Sequence, residues 1–307
     1  LNATEVSALA NQASHRHTAG IPEPAIFVPQ SKRIDVDRTQ TAAGIPATRI
    51  LGIPISTINI AVAVSTILAW VDTHSSQYIC VRDVHGIMLG QNDPALTDIH
   101  FRAGLITPDG MPLVWILKAR GYKDTGRVCG ADLVAALCRA SQESGARHYL
   151  YGGKPGVGER MAAELVRLFP ALQIVGCSTP PFRPLTPDED AIATEQIAAA
   201  RPDIVWVGLS TPKQEYWMRD HLGRIPGATL IGVGAAFDFY TGDVKRAPSW
   251  MQGSGLEWLH RLLHEPRRLW RRYLILAPNF VFLVCRNKMM RILRKYQVNL
   301  DDWRNSR

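Results

Sequence analysis

The chain has 307 residues, 46% hydrophobic and 20% charged, which excludes a disordered or low-complexity protein and leaves room for one large domain or two small ones. Its five cysteines, an odd number without a CxxC pair, argue against a disulfide framework or zinc site and for a reducing compartment. The net charge of +8 is uneven: residues 245–307 hold 14 Lys and Arg against 4 Asp and Glu, a local +10, so the rest of the chain is near −2 and the tail calls for an anionic partner such as acidic lipid, pyrophosphate or nucleic acid.

Residues 1–46 mix Ala, Pro, Thr, Gln and His with little periodicity and read as a disordered lead-in. Asp35 and Asp37 there have D-x-D spacing, but their polar setting does not suit a metal site. Order is expected from about Arg49, with an apolar helix over 58–71 and a first buried strand over 78–81. Arg82, Asp83 and His85 follow that strand, then another helix. A second strand at 104–107 ends in Pro108, Asp109 and Gly110, and a helix over 111–120 follows. Next come a helix over 133–144, a strand over 148–151, the glycine-rich loop 152–158, a helix over 159–169 and a strand over 172–175. A proline-rich loop leads to a helix over 188–200, capped by Thr186 or Asp188. A strand over 203–207 runs into Gly208 through Glu215 and a helix over 216–221; the last core strand spans 228–233.

Strands alternating with helices predict an α/β fold, a Rossmann-like parallel sheet flanked by helices over 47–244. In such sheets ligands bind at the carboxyl ends of the strands. Asp109, Gly152 and Gly153, Gly208 through Glu215, and Gly234, Ala235 and Asp238 all fall at those ends. The loop 152–158 has GGxxGxG spacing rather than GxGxxG, and the next strand offers no ribose-binding acid. A tight turn and a phosphate loop explain it equally well. His85 fits either a base or a structural histidine.

Residues 245–307 form a basic helical appendage in which Lys and Arg interleave with Trp250, Trp258, Trp270, Tyr273, Phe280 and Phe282. That pattern suits a membrane interface, single-stranded nucleic acid or a basic outer helix face. The apolar run 273–285 is shorter than the roughly 18 residues of a spanning helix and contains Pro278, so it is expected to lie in the interface plane; no signal peptide opens the chain.

The segments GVGAAFDFYTGDVKRAPSWMQGSGLEWLHRLLHEPRRLWRRY (232–273), GLSTPKQEYWM (208–218) and LITPDGMPLVW (105–115) resemble the signature blocks of the WecG/TagA/CpsF glycosyltransferases, glycosyltransferase family 26, and appear in family order. The resemblance runs from about Leu51 to Tyr273 and points to the GumM-type glucosyltransferase branch. It implies inverting transfer from a UDP-sugar, UDP-glucose in that branch, to a polyprenyl-diphosphate-linked sugar in exopolysaccharide assembly. The enzyme would sit peripherally on anionic lipid at the cytoplasmic face of the inner membrane. The other donors that the family implies are UDP-N-acetylmannosamine and its uronic acid. No metal, cofactor or nucleic acid is implied, and a homo-oligomer is left open.

Carried onto this chain, the resemblance makes Asp109 the general base. It places Pro212, Lys213, Gln214, Glu215 and Asp238 at the nucleotide-sugar site, with Gly152, Gly153, Gly208, Gly234 and Ala235 as the close-approach backbone beside them. The appendage arginines fall on Arg261, Arg268 and Arg271, for the acceptor diphosphate and the membrane. Many members carry a threonine after the first strand; here Arg82, Asp83 or His85 stands in its place. Two other classes fit parts of the sequence. A dinucleotide-dependent oxidoreductase would use the glycine-rich loop, and a non-catalytic adaptor would use the basic tail.

Overall fold

Short β-prone runs between amphipathic segments fold as expected into alternating strands and helices, and the computed structural model describes residues 37–305. An antiparallel three-stranded sheet comes first: β1 (Arg38–Gln40), β2 (Pro46–Ile50) and β3 (Ile53–Ser56). The sequence reading places none of these strands, and β1 lies within the expected lead-in. The lead-in before residue 37, Asp35 included, lies outside the described residues. Asp37 pairs with Arg120 at 3.1 Å, so the second acid of the D-x-D is held in a salt bridge.

The main sheet has six parallel strands in the order β5-β4-β9-β8-β6-β7. They are β4 (Gln77–Arg82), β5 (Leu105–Pro108), β6 (Arg147–Gly152), β7 (Gln173–Ser178), β8 (Ile204–Gly208) and β9 (Thr229–Gly232). The connecting helices are α1 (Ile60–Asp72), α2 (Val84–Gly90), α3 (Pro94–Arg102), α4 (Met111–Ala119), α5 (Gly130–Ser144), α6 (Val157–Leu168), α7 (Pro187–Ala199) and α8 (Lys213–His221). Local chemistry sets several starts. Asn59, Asp83 and Asp93 cap α1, α2 and α3 by accepting a backbone N–H from the first turn. Thr186 and Glu189 close a capping box on α7, with Pro187 at its first position.

Side chains alternate across the strands, so each face of the sheet builds its own core. Ile79, Leu150, Trp206 and Ile231 pack under α1, α5 and α6. Tyr78, Cys80, Val205 and Leu230 pack under α2, α3 and α8, together with Ile50, Ile53 and Ile55 of the small sheet. Ser56 Oγ accepts the Ile106 N–H at 3.1 Å, which ties the small sheet to the edge strand β5.

After β9 come α9 (Ala236–Tyr240), α10 (Ser249–Ser254), α11 (Glu257–His264) and α12 (Pro266–Trp270). A π-helical turn over Arg271–Leu276 then runs into α13 (Ala277–Asn305). Pro278 has no N–H to return to the preceding turn, and the widened π turn directly before it accommodates that loss without ending the helix. Leu269 and Phe280 are buried, and Phe280 joins the second core cluster, anchoring the tail. Leu274, Ile275, Val281 and Phe282 stay exposed. Among the described residues no helix is long and apolar enough to cross a membrane.

Candidate active site

Because all six strands run parallel, their carboxyl ends open on one side. Arg82 and Asp83 leave β4 there, Asp109 leaves β5, Gly152 and Gly153 leave β6, Gly208 through Glu215 leave β8, and Gly234 through Asp238 leave β9.

Asp109 is fixed by its backbone. Its N–H donates to the Arg82 carbonyl at 2.8 Å, extending the β4–β5 ladder by one step. Its carbonyl accepts from Arg127 Nε at 2.7 Å, and Arg127 Nη2 stands 3.5 Å from its Oδ1. Burial pushes the Asp109 carboxyl up to about 6; Arg127 and Arg272 oppose the rise, while Asp83 and Glu257 add to it. Such a group takes up and releases a proton near neutral pH.

Two ion pairs flank it. Arg127 meets Glu257 of α11 at 2.7 Å. Asp83, whose Oδ1 caps α2 through the Gly86 N–H at 3.0 Å, pairs through Oδ2 with Arg272 of the π turn. Burial alone would raise the Asp83 carboxyl, but Arg272, His85 and the Gly86 N–H hold it well below the usual carboxylate range. Burial pushes the His85 imidazole down, against the attraction of the Asp83 carboxylate beside it.

The residues 212–215 divide. Gln214 and Glu215 are buried, and Glu215 forms an ion pair with Arg82, itself 1% exposed. Glu215 Oε1 also accepts from Gln214 Nε2 at 2.8 Å and from Thr211 Oγ1 at 3.2 Å. This explains the cluster of long polar side chains at that strand end: Glu215 answers the buried guanidinium at the end of β4. Arg82 Nε, Gln214 Oε1 and Glu215 Oε2 are buried without a hydrogen-bond partner, a cost that proteins tolerate at functional sites. Pro212 precedes α8 after a cis peptide bond, and Lys213 is exposed with its ammonium 5.0 Å from the Phe182 ring centroid.

The glycines hold elements close together. Gly152 has φ +123°, and a Cβ on it would stand 2.7 Å from the Gly208 carbonyl; a Cβ on Gly208 would meet the Phe237 ring at 2.7 Å. The Gly153 N–H is already donated to the Gly208 carbonyl at 3.0 Å. At Gly152 and Gly153 the tight turn therefore accounts for the sequence. Gly234 (φ +50°) and Ala235 turn β9 into α9, where burial raises the Asp238 carboxyl against the opposing charge of Lys154.

Of the tail arginines singled out in the sequence, Arg261 lies 5.7 Å from the Phe239 ring centroid, Arg268 pairs with Glu265 at 2.5 Å, and Arg271 is exposed beside Trp270. The tail groups that reach the neighbourhood of Asp109 are Arg272 and Glu257, and the core partner is Arg127. None of the three is among the site residues that the sequence singles out; Arg272 stands there only as one basic residue of an arginine-rich tail. Among the described residues no cluster of His, Cys, Asp and Glu is arranged to hold a metal ion.

Comparison with known proteins identifies the family. Residues 48–294 match the family described as "Glycosyl transferase WecG/TagA/CpsF family". A protein of Bacillus spizizenii named N-acetylglucosaminyldiphosphoundecaprenol N-acetyl-beta-D-mannosaminyltransferase is 34% identical over 186 residues, 61% of this chain and 70% of that protein. Its namesake in Bacillus subtilis is 32% identical over 191 residues, 62% and 72% of the two chains. With a family match over residues 48–294, most of its length, this chain belongs to the WecG/TagA/CpsF glycosyltransferase family.

Proposed function

We propose that the protein transfers a sugar from a UDP-sugar to a sugar carried on polyprenyl diphosphate, with inversion, and that Asp109 is the general base. The observation that carries this reading is a carboxyl group poised near pH 6, fixed at the carboxyl edge of the sheet and flanked by arginines. The acceptor hydroxyl is a weak nucleophile. Asp109 takes its proton as the oxygen bonds to the anomeric carbon from the face opposite UDP. The bond from that carbon to the UDP oxygen breaks, and its electron pair leaves with UDP. Lys213, Arg261, Arg268 and Arg271 supply positive charge for the departing and acceptor diphosphates. Gln214, Glu215 and Asp238 shape the nucleotide-sugar side.

The names of the two relatives favour UDP-N-acetylmannosamine as donor and an N-acetylglucosaminyl-diphosphoundecaprenol-like acceptor over the glucose transfer suggested by the GumM-type resemblance. The exposed Leu274, Ile275, Val281 and Phe282, flanked by Arg271 and Arg272 on one side and Arg286 and Lys288 on the other, favour a tail lying on anionic lipid at the cytoplasmic face.

A donor screen tests the reading. The full chain is incubated with a polyprenyl-diphosphate acceptor bearing N-acetylglucosamine or glucose, and with UDP-N-acetylmannosamine, UDP-N-acetylglucosamine or UDP-glucose, with and without EDTA. UDP release and lipid product mass are read together. Transfer of N-acetylmannosamine is expected. Hexose transfer from UDP-glucose alone would return the chain to the glucosyltransferase branch, and no transfer from any donor would reject the reading.

A further inference from the structure

The tail meets the reacting edge of the sheet through the two ion pairs on either side of Asp109. Each core partner is itself fixed. Arg127 is held by the Asp109 carbonyl, and Asp83 by the Gly86 N–H at the start of α2. The Asp83 and Arg272 side chains are 24% and 25% exposed, so water screens their attraction only in part. Arg272 also lies against Tyr273, 5.5 Å from its ring centroid. Asp83 thus has three relations at once: it caps a core helix, directly follows the strand beside the one that delivers Asp109, and grips the π turn of the tail.

We propose that Asp83 is a positioning residue that seats Arg272, and with it the π-helical turn of the tail, beside Asp109. The role assigned to Asp109 rests on the proposed function; the seating does not. Docking brings one acid and one base to the edge, Glu257 and Arg272, each against an opposite charge already there. The charged and titratable groups acting on or around Asp109 are then Arg127, Asp83, Glu257, Arg272 and Arg82, with Cys129 and Tyr273 next to them and His85 beside Asp83 and Arg272. The tail is therefore part of the electrostatic setting of the base as well as a cover over it.

The test uses Asp83→Asn, which keeps the helix cap because asparagine accepts the same N–H, and removes only the charge. Amide hydrogen exchange is followed over residues 257–276 in the full-length wild type, Asp83→Asn, Arg272→Gln, the double variant and Arg272→Lys. Exchange about tenfold faster is expected in both single variants, with no further gain in the double variant and near wild-type protection in Arg272→Lys. A carbon-13 titration of the Asp109 carboxyl is the second readout. Its midpoint is expected to be the same in Asp83→Asn and in the double variant, because Arg272 has already left Asp109 in the single variant; a merely structural contact would leave Arg272 seated, and its removal in the double variant would raise the midpoint further. Unchanged protection in both single variants, effects that add in the double variant, or an Asp109 midpoint higher in the double variant than in Asp83→Asn would each overturn the proposal. If Asp83→Asn does not fold, the Arg272 variants carry the exchange test. Neither readout depends on sugar transfer, so an inactive wild type would reject the functional reading and still leave the seating decided.

Discussion

Replacing Asp109 by asparagine should stabilise the protein at alkaline pH while removing its transfer activity. The carboxyl is raised from the ordinary 3.8 to about 6, chiefly by burial. For an acid with a raised folded-state pKa, the associated stability is fully present below pH 3.8 and is lost as pH rises through 6. Above that range the folded state carries a charge that it disfavours by about 2 pH units, or about 3 kcal/mol. Asparagine never ionises and escapes this cost. Urea denaturation of both proteins at pH 4 and pH 8 isolates the effect, because any pH-independent consequence of the substitution cancels between the two conditions. The wild type should lose up to about 3 kcal/mol relative to the variant on going from the lower to the higher pH. A gap that stays constant, or moves the other way, would show that Asp109 is not held as a reluctant carboxylate, and the argument for it as a base poised near neutrality would fail with it.

Three further outcomes follow from the same geometry. The rate kcat/KM should fall about tenfold per pH unit below a midpoint near 6, since only the ionised Asp109 accepts a proton; a profile flat down to pH 4.5 would point to another base. Glu215→Gln leaves the Arg82 guanidinium buried without its counter-ion and should cost about 3–5 kcal/mol in denaturant unfolding, whereas Glu164→Gln, whose partner Arg167 is exposed, should leave the unfolding midpoint where it is. Joint replacement of Leu274, Ile275, Val281 and Phe282 by serine should abolish flotation with anionic vesicles, each side chain contributing about 1–2 kcal/mol of apolar transfer; retained binding would assign membrane contact to the basic charge alone.

The sheet strands were legible because a buried parallel strand is a short continuous apolar run, and each such run from Tyr78 to Val233 became one. The strands β1 to β3 were not. Pro46, Gly52 and Pro54 punctuate a segment whose strands are only 3 to 5 residues long, and their pairing depends on contacts such as Ser56 with Ile106 that sequence does not display. At the site, Asp109 announced itself by following a strand within a turn motif. The polar side chains of Gln214 and Glu215 were visible too, but Arg82, the ion-pair partner of Glu215, lies more than a hundred residues earlier. The tail posed the hardest case. Its helix angle around Pro278 decides which arginine points inward, and a π turn shifts that angle by an amount that no 3.6-residue periodicity predicts. Arg272 is therefore the residue that meets Asp83, while Arg271 beside it faces solvent.

The sheet order has a consequence for how the chain is made. The strand β9 is the last of the main sheet to be synthesised, yet it sits between β4 and β8. Until it emerges from the ribosome, β4 with β5 and β8 with β6 and β7 are two partial sheets, each presenting a bare inner edge. Such edges invite pairing with other chains. The insertion of a strand only four residues long, Thr229–Gly232, joins the two pieces and removes both edges at once. The basic tail, with its exposed apolar side chains, is translated directly afterwards. The nascent chain therefore gains that tail only after the body has the means to close.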